Sequence, residues 1–380
     1  MKILFVCDVL GKANNGTTIA AMNVMNYLKQ QGHEVRVLCC DKDKIGEEGF
    51  YVCPTINVGP FNNYVAKNGV SLARADKKVV EAAFKDIDVC HIMMPLMLGK
   101  YCAKYAHKHH IPLTAGFHCQ AENVSNHFFI MNLKFANKML YKNFYKKLYR
   151  YCDGIHYPSQ FIRTTFEKIV GPTPGHVISN GVKSNFHHLE NTEREEKYKD
   201  KILILFTGRL SKEKSHDILI NAIRYSKYKN DIQLFFAGDG PLKEKIIEEG
   251  STLPNPPVIG FYDRETMVKL INACDLYVHP AKIDIEPISC MEAISCGLVP
   301  IVNDSKRSGV SEFALTPNNL FKDDAPKDLA KKIDYWIEHP EEKEECRQKY
   351  TGFTARFNFD NCMKQMEDMY LTIIENKKRK

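Results

Sequence analysis

No stretch of this chain approaches the roughly 18 consecutive apolar residues that a helix needs to span a bilayer, so nothing in it reads as a membrane span. Its first residues, Met1-Lys-Ile-Leu-Phe-Val-Cys-Asp8, lack the apolar core and cleavage site of a secretory leader and read as a buried strand. The cysteines number thirteen, yet they form no CxxC pair and no Cys/His cluster at zinc spacing. That absence, the odd count and the adjacent Cys39-Cys40 point to reduced thiols in a cytosolic protein, most of them small core residues, with no metal. A GxGxxG fingerprint is missing as well, which leaves a dinucleotide site without direct support. Wholesale disorder is excluded, because 44% hydrophobic and 26% charged residues are globular values. The 380 residues exceed one ordinary core and suit two domains of about 150–200 residues each.

One segment lacks acids altogether. Between Lys134 and Arg150 stand six cations, Lys134, Lys138, Lys142, Lys146, Lys147 and Arg150, in a chain of net charge +7. Phe135, Leu140, Tyr141, Phe144, Tyr145 and Leu148 interleave at helical spacing. A basic amphipathic helix of this kind suits an anionic membrane surface, where each cation contributes about 1 kcal/mol. The same apolar face can also cover the domain's own core.

Elsewhere short apolar runs alternate with helical patterns, which predicts parallel sheets covered on both faces. Strands are expected at 2–8, 34–40, 88–93, 112–117 and near 154–157, with helices near 17–31, 72–85, 97–110 and 159–168. The pattern restarts at 201–207 and continues at 232–237, 257–260, 275–279 and 299–302, with helices between them. Residues 326–338 and 340–376 read as terminal helices, and the domain switch falls near 180–200.

The richest chemistry follows two of these strands. Asp275-Leu-Tyr-Val-His279 runs into a loop bearing Asp284, and a helix opens near Pro287 with Glu292 one turn in. Unpaired N–H groups and the dipole make a helix start an anion site, so Ile288 and Ser289 can meet a phosphate. Upstream, Lys201-Ile-Leu-Ile-Leu-Phe-Thr-Gly208 is followed by Arg209 and Lys214, two cations at a strand's carboxyl end, where open α/β sheets bind ligands. Arg presents a planar fork to phosphate oxygens and Lys a mobile point charge. Acids flanking an anion site suit a nucleotide sugar, a diphosphate with hydroxyl-rich groups at both ends.

Gly208-Arg-Leu-Ser-x-Glu-Lys214, Ala237-Gly-Asp-Gly-Pro-Leu242 and the pair Asp284 and Glu292-Ala resemble the retaining family 4 glycosyltransferases. Phe117-His118 with Glu122, Tyr157-Pro-Ser-Gln-Phe161, Ile178-Ser-Asn-Gly181 and Phe313-Ala-Leu315 are similar to a bacterial branch that glucosylates membrane lipids. The resemblance implies an α/β chain of GT-B type, two Rossmann-like parallel-sheet domains facing across a cleft. It places an acceptor-side domain at 1–185, a nucleotide-sugar domain at 186–356 and a last helix, about 357–380, crossing back. It implies that His118 contacts the transferred sugar, that Glu292 holds the ribose hydroxyls, and that Gly16 lets the backbone approach the donor. Asp284 stands where the family usually has Glu, one methylene longer, so Glu286 is an alternative sugar-contacting acid.

The function so read is retaining transfer of a hexose from a nucleotide sugar, UDP-glucose first, to a hydroxyl of a diacylglycerol, sterol or glycolipid. His118, Asp284, Arg209 and Lys214 are the catalytic candidates. Gly16, Arg209, Lys214, Ile288, Ser289 and Glu292 are the donor-binding ones. No cofactor and no nucleic acid are expected, and the enzyme would lie on the inner face of the cell membrane. Transfer to polyprenyl-linked or capsular glycan intermediates, nucleotide-sugar epimerisation, and a purely lipid- or nucleic-acid-binding role for the basic helix are the rivals.

Overall fold

A computed structural model describes residues 1–8, 10, 16–57, 59, 72–126, 132–190 and 192–379. They divide into two compact units, Met1–Asn180 with Cys362–Lys380, and Gly181–Asn361.

The first unit is built on seven strands, β1 (Lys2–Val6), β2 (Glu34–Cys39), β3 (Phe50–Val52), β4 (Val89–Ile92), β5 (Leu113–Gly116), β6 (Gly154–Tyr157) and β7 (Gly175–Val177). All pairs are parallel, in the order β3-β2-β1-β4-β5-β6-β7. Strands buried on both faces must be apolar throughout, and Ile3 to Val6 are wholly inaccessible. Among the described residues the connecting helices are α1 (Gly16–Gln30), α2 (Lys77–Ala83), α3 (Met97–Lys108), α4 (Ala121–Asn126), α5 (Lys134–Lys147) and α6 (Gln160–Val170). Local chemistry sets their ends. Asp76 accepts from Lys78 N at 3.0 Å and Val79 N at 3.1 Å to open α2, while α6 stops at Gly171, whose φ is +90°.

The second unit repeats the plan with β8 (Ile202–Thr207), β9 (Ile232–Ala237), β10 (Val258–Gly260), β11 (Leu276–His279), β12 (Pro300–Asn303) and β13 (Leu320–Phe321). Its order is β10-β9-β8-β11-β12-β13, again parallel. Around it stand α7 (His216–Tyr225), α8 (Lys243–Gly250), α9 (Arg264–Ala273), α10 (Ile288–Ser295), α11 (Pro326–Glu338) and α12 (Pro340–Thr354). A last helix, α13 (Phe359–Lys378), follows.

Three strands escape the sequence reading: β3, β7 and β13 have three, three and two residues, too few for any alternation to register. The expected helix 340–376 is interrupted by a 3-10 turn at Ala355–Phe357. There the chain bonds to Val182, whose N donates to Phe357 O at 2.7 Å and whose carbonyl accepts from Phe359 N at 3.0 Å. Those bonds tie Val182 to the second unit, so the unit boundary lies at Asn180, ahead of residue 185. From Cys362 onward α13 belongs to the first unit, where Tyr370 meets the rings of Phe5 and His91 and Lys377 donates to Asp153 at 2.8 Å.

Candidate active site

In the second sheet the strand order reverses between β8 and β11, and at such a switch point the loops at the carboxyl ends open a ligand site. Gly208, with φ at +144°, turns the chain out of β8 and is followed by half-buried Arg209. The Gly238-Asp-Gly240 turn after β9 packs backbone to backbone against this loop. A Cβ at Gly238 would lie 1.9 Å from Gly208 O, and one at Gly240 2.5 Å from Leu210 O. Leu210 N donates to Asp239 O, and Leu242 N to Leu210 O, each at 3.0 Å. Two glycines thus fix the segment that carries Arg209.

A 3-10 turn then delivers Lys214, whose Nζ donates to Asp284 Oδ2 at 2.5 Å. The loop bearing Asp284 is held on both sides: Lys282 N donates to Glu213 O at 2.9 Å, and Gly309 N to Asp284 O at 2.8 Å. His279 Nε2 meets the same Oδ2 at 3.0 Å. Burial alone would push the Asp284 carboxyl upward, but the Lys214 charge and the His279 hydrogen bond outweigh it and hold the group down at about 2. Asp284 is therefore ionised, and the expected cation and the expected acid form one ion pair.

Helix α10 opens beside them. Ile288 N donates to Glu286 O at 3.0 Å, whereas the N–H of Ser289 donates to no described residue. Ser289 Oγ lies 3.0 Å from Tyr277 OH, itself 3.0 Å from His279 Nδ1. One turn further, Glu292 is half-buried, and burial raises its carboxyl to about 7 against the weaker pull of the Arg264 charge. Glu286 is buried in the same loop.

In the first unit His118 follows β5 and folds back over Gly116, whose Cβ position lies 2.4 Å from His118 Nε2 and 3.4 Å from His91 Nε2. Its ring meets His156 edge-on, with centroids 5.4 Å apart. Burial drives all three imidazoles to the neutral form: His118 falls to about 3, His156 to about 4, and His91 well below its usual range. Glu122 accepts from Tyr141 OH of α5 at 2.6 Å in a buried pair. Gly16 begins α1 and is exposed, and a Cβ there would meet nothing within 4 Å. Thr17 and Thr18 stand inside the first turn of α1, one and two residues past its start. The rest of that loop, residues 11–15, lies outside the described residues.

Two family models cover most of the chain. The one described as Glycosyltransferase Family 4 matches residues 14–186, and the one described as Glycosyl transferases group 1 matches residues 189–352. The chain belongs to glycosyltransferase family 4. A GDP-mannose-dependent alpha-(1-6)-phosphatidylinositol dimannoside mannosyltransferase from Mycobacterium tuberculosis is 25% identical over 50% of this chain, which spans 50% of that relative's length. The catalytic domain of cholesterol-alpha-glucosyltransferase from Helicobacter pylori is 37% identical over 41% of this chain and 99% of its own, with a TM-score of 0.40. HepE from Anabaena, solved with UDP-glucose, superposes at a TM-score of 0.74 over 98% of this chain and 100% of its own, with 18% identity. The two parallel-sheet units are those of the GT-B fold.

Several polar residues of this glycosyltransferase went unread in its sequence. Tyr277 and His279 sit two apart on β11 and so share one face, a signal that a polar pair in an apolar strand can give. His91 and His156 are likewise lone polar residues in buried strands. His216 opens α7 with both ring nitrogens buried and bonded to no described residue. Among the described residues no three His, Cys, Asp or Glu side chains group so as to hold a metal, and no helix is long and apolar enough to cross a membrane.

Proposed function

We propose that this glycosyltransferase moves glucose from UDP-glucose to a hydroxyl of a membrane lipid, with retention at the anomeric carbon. The observation that carries the donor half is the meeting of Lys214, Asp284 and the start of α10 at the switch point of the second sheet. Lys214 spends one of its three donors on Asp284, and two are left for diphosphate oxygens. With Arg209 and the N–H of Ser289 it meets the negative charge that grows on the leaving diphosphate as the glycosidic bond breaks. Asp284 accepts from a hydroxyl of the glucose, Glu292 from the ribose, and neutral His118 hydrogen-bonds the transferred sugar. The lipid hydroxyl attacks from the face the diphosphate leaves, and the departing phosphate takes its proton. Since protein cations supply the positive charge, activity survives EDTA; loss on chelation, restored by Mg2+ or Mn2+, would contradict this.

The acceptor half rests on α5. All six cations of the segment are exposed, and Leu133, Phe135 and Met139 beside them are 56%, 76% and 56% exposed, while Tyr141 and Phe144 point inward. The helix thus serves its own core with one face and offers cations with bulky apolar groups on another, as interfacial binding requires. The lipid-linked acceptor named for the mycobacterial relative supports the same reading, while its GDP-mannose makes that donor the alternative. Anionic vesicles carrying diacylglycerol, cholesterol or a glycolipid, incubated with radiolabelled UDP-glucose or GDP-mannose, test both halves. The reading expects a labelled lipid from UDP-glucose whose new linkage is α by NMR. Label only in free sugar, or a β linkage, would refute it.

A further inference from the structure

Among the described residues, Asp284 is approached twice on one oxygen and not at all on the other. Lys214 Nζ and His279 Nε2 both bond Oδ2, and Oδ1 makes no hydrogen bond to a described residue. A carboxylate pinned in this way cannot rotate to exchange its oxygens without breaking both bonds. Among the described residues Oδ1 is thereby left to accept from a ligand.

Elementary chemistry orders the protons behind this. His279 is wholly inaccessible, and its Nε2 faces an ionised carboxylate, so that nitrogen must carry the hydrogen. Nδ1 is then the acceptor, and Tyr277 OH, 3.0 Å away, donates to it. Tyr277 has only one hydrogen, so its oxygen can only accept from Ser289 Oγ at 3.0 Å and from Thr207 Oγ1 at 3.4 Å. Every hydrogen in the chain points the same way, from Ser289 and Thr207 through Tyr277 and His279 to Asp284. The relay runs from the first turn of α10, past the end of β8, to the acid, and its two central links, Tyr277 and His279, are rigid rings on one strand.

We propose that His279, backed by Tyr277, is a positioning residue for the reaction: it aims Asp284 so that Oδ1 meets the hexose of the donor. It also commits the Ser289 hydroxyl to Tyr277, so that Ser289 reaches a diphosphate through its backbone N–H and its side-chain oxygen meets only donors. This rests on the reading of Asp284 as the sugar-contacting acid. Neither His279 nor Tyr277 touches substrate; both act through Asp284.

The test uses the full chain and UDP-glucose with lipid vesicles. His279→Phe keeps a ring of similar size but removes the donor, and should lower kcat roughly 10- to 100-fold with KM for UDP-glucose changed less than about threefold. His279→Gln, whose amide N–H can reach the same oxygen, should recover most of that loss. In an Asp284→Asn background His279→Phe should cost nothing further, because the target of the aiming is gone. Thermal melting checks that the variants are folded, and Tyr277→Phe, a second route to the same break, should repeat the kcat effect more weakly. Unchanged kcat in His279→Phe, or a loss that multiplies with that of Asp284→Asn, would overturn the inference. Wild-type turnover by Asp284→Asn would instead overturn the parent reading, a different result from a slow Asp284→Asn beside a normal His279→Phe.

Discussion

Two acids near the start of α10 lie in opposite electrostatic states, and each state has a consequence. Asp284, paired with Lys214 and His279, is held at about 2, so its contribution to stability is present above about pH 4 and fades as pH falls toward 2. Glu292 is raised to about 7 from a usual 4.5, so between those values the folded chain keeps a proton that the unfolded chain releases. Stability then declines as pH rises through that window, and Glu292→Gln should remove the decline, with its Tm advantage over wild type growing from pH 5 to pH 8. If the ionised group is what accepts the ribose hydroxyls, donor binding releases a proton, and Kd should tighten from pH 6 to pH 8 in wild type only. Titration calorimetry in buffers of different ionisation enthalpy reads both. Ser215, which leads into α7 with φ at +53°, holds a left-handed conformation that costs a non-glycine residue about 1 kcal/mol. Ser215→Gly should raise the melting temperature by about 2–4 °C.

At the scale of elements, the cation-bearing loop after β8 is shaped by its neighbours more than by its own sequence. Gly238→Ala would drive a Cβ into a backbone oxygen, which no rotamer change relieves, and the loop carrying Arg209 would have to move. The expected result is a destabilisation of about 1–3 kcal/mol by urea unfolding, together with weaker donor binding. The strand ends, the helix start and the charged residues around this site were legible because long apolar runs and punctuating glycines mark them in the sequence. What was not legible is how they are joined. Nothing in the spacing of Lys214 and Asp284, seventy residues apart, says that they meet at 2.5 Å, and Tyr277 and His279 read as part of an apolar strand. The edge strands β3, β7 and β13 owe their existence to parallel neighbours, a tertiary effect that short-range pattern cannot carry.

On the scale of the whole molecule, the two units carry different halves of the proposed reaction. In that proposal the first offers α5 to a lipid surface and the second binds the donor; the three neutral histidines of the first unit lie on and beside its inner strands β4, β5 and β6. Charge reversal at Lys134, Lys138, Lys142 and Lys146 should weaken binding to anionic vesicles by several kcal/mol, at about 1 kcal/mol per cation, while leaving the affinity for free UDP-glucose unchanged. Vesicle sedimentation and calorimetry separate the two effects. A parallel loss of donor affinity would mean that α5 supports the fold instead.

The central claim is that a donor diphosphate is held by Arg209, Lys214 and the opening turn of α10. It is tested most directly by titrating UDP-glucose into wild type, Arg209→Ala and Lys214→Ala, each first shown by its melting temperature to be folded. A lost charge-assisted hydrogen bond of about 1.5–3 kcal/mol predicts a Kd about 10- to 150-fold weaker in each variant. Equal Kd values in all three proteins would contradict the account.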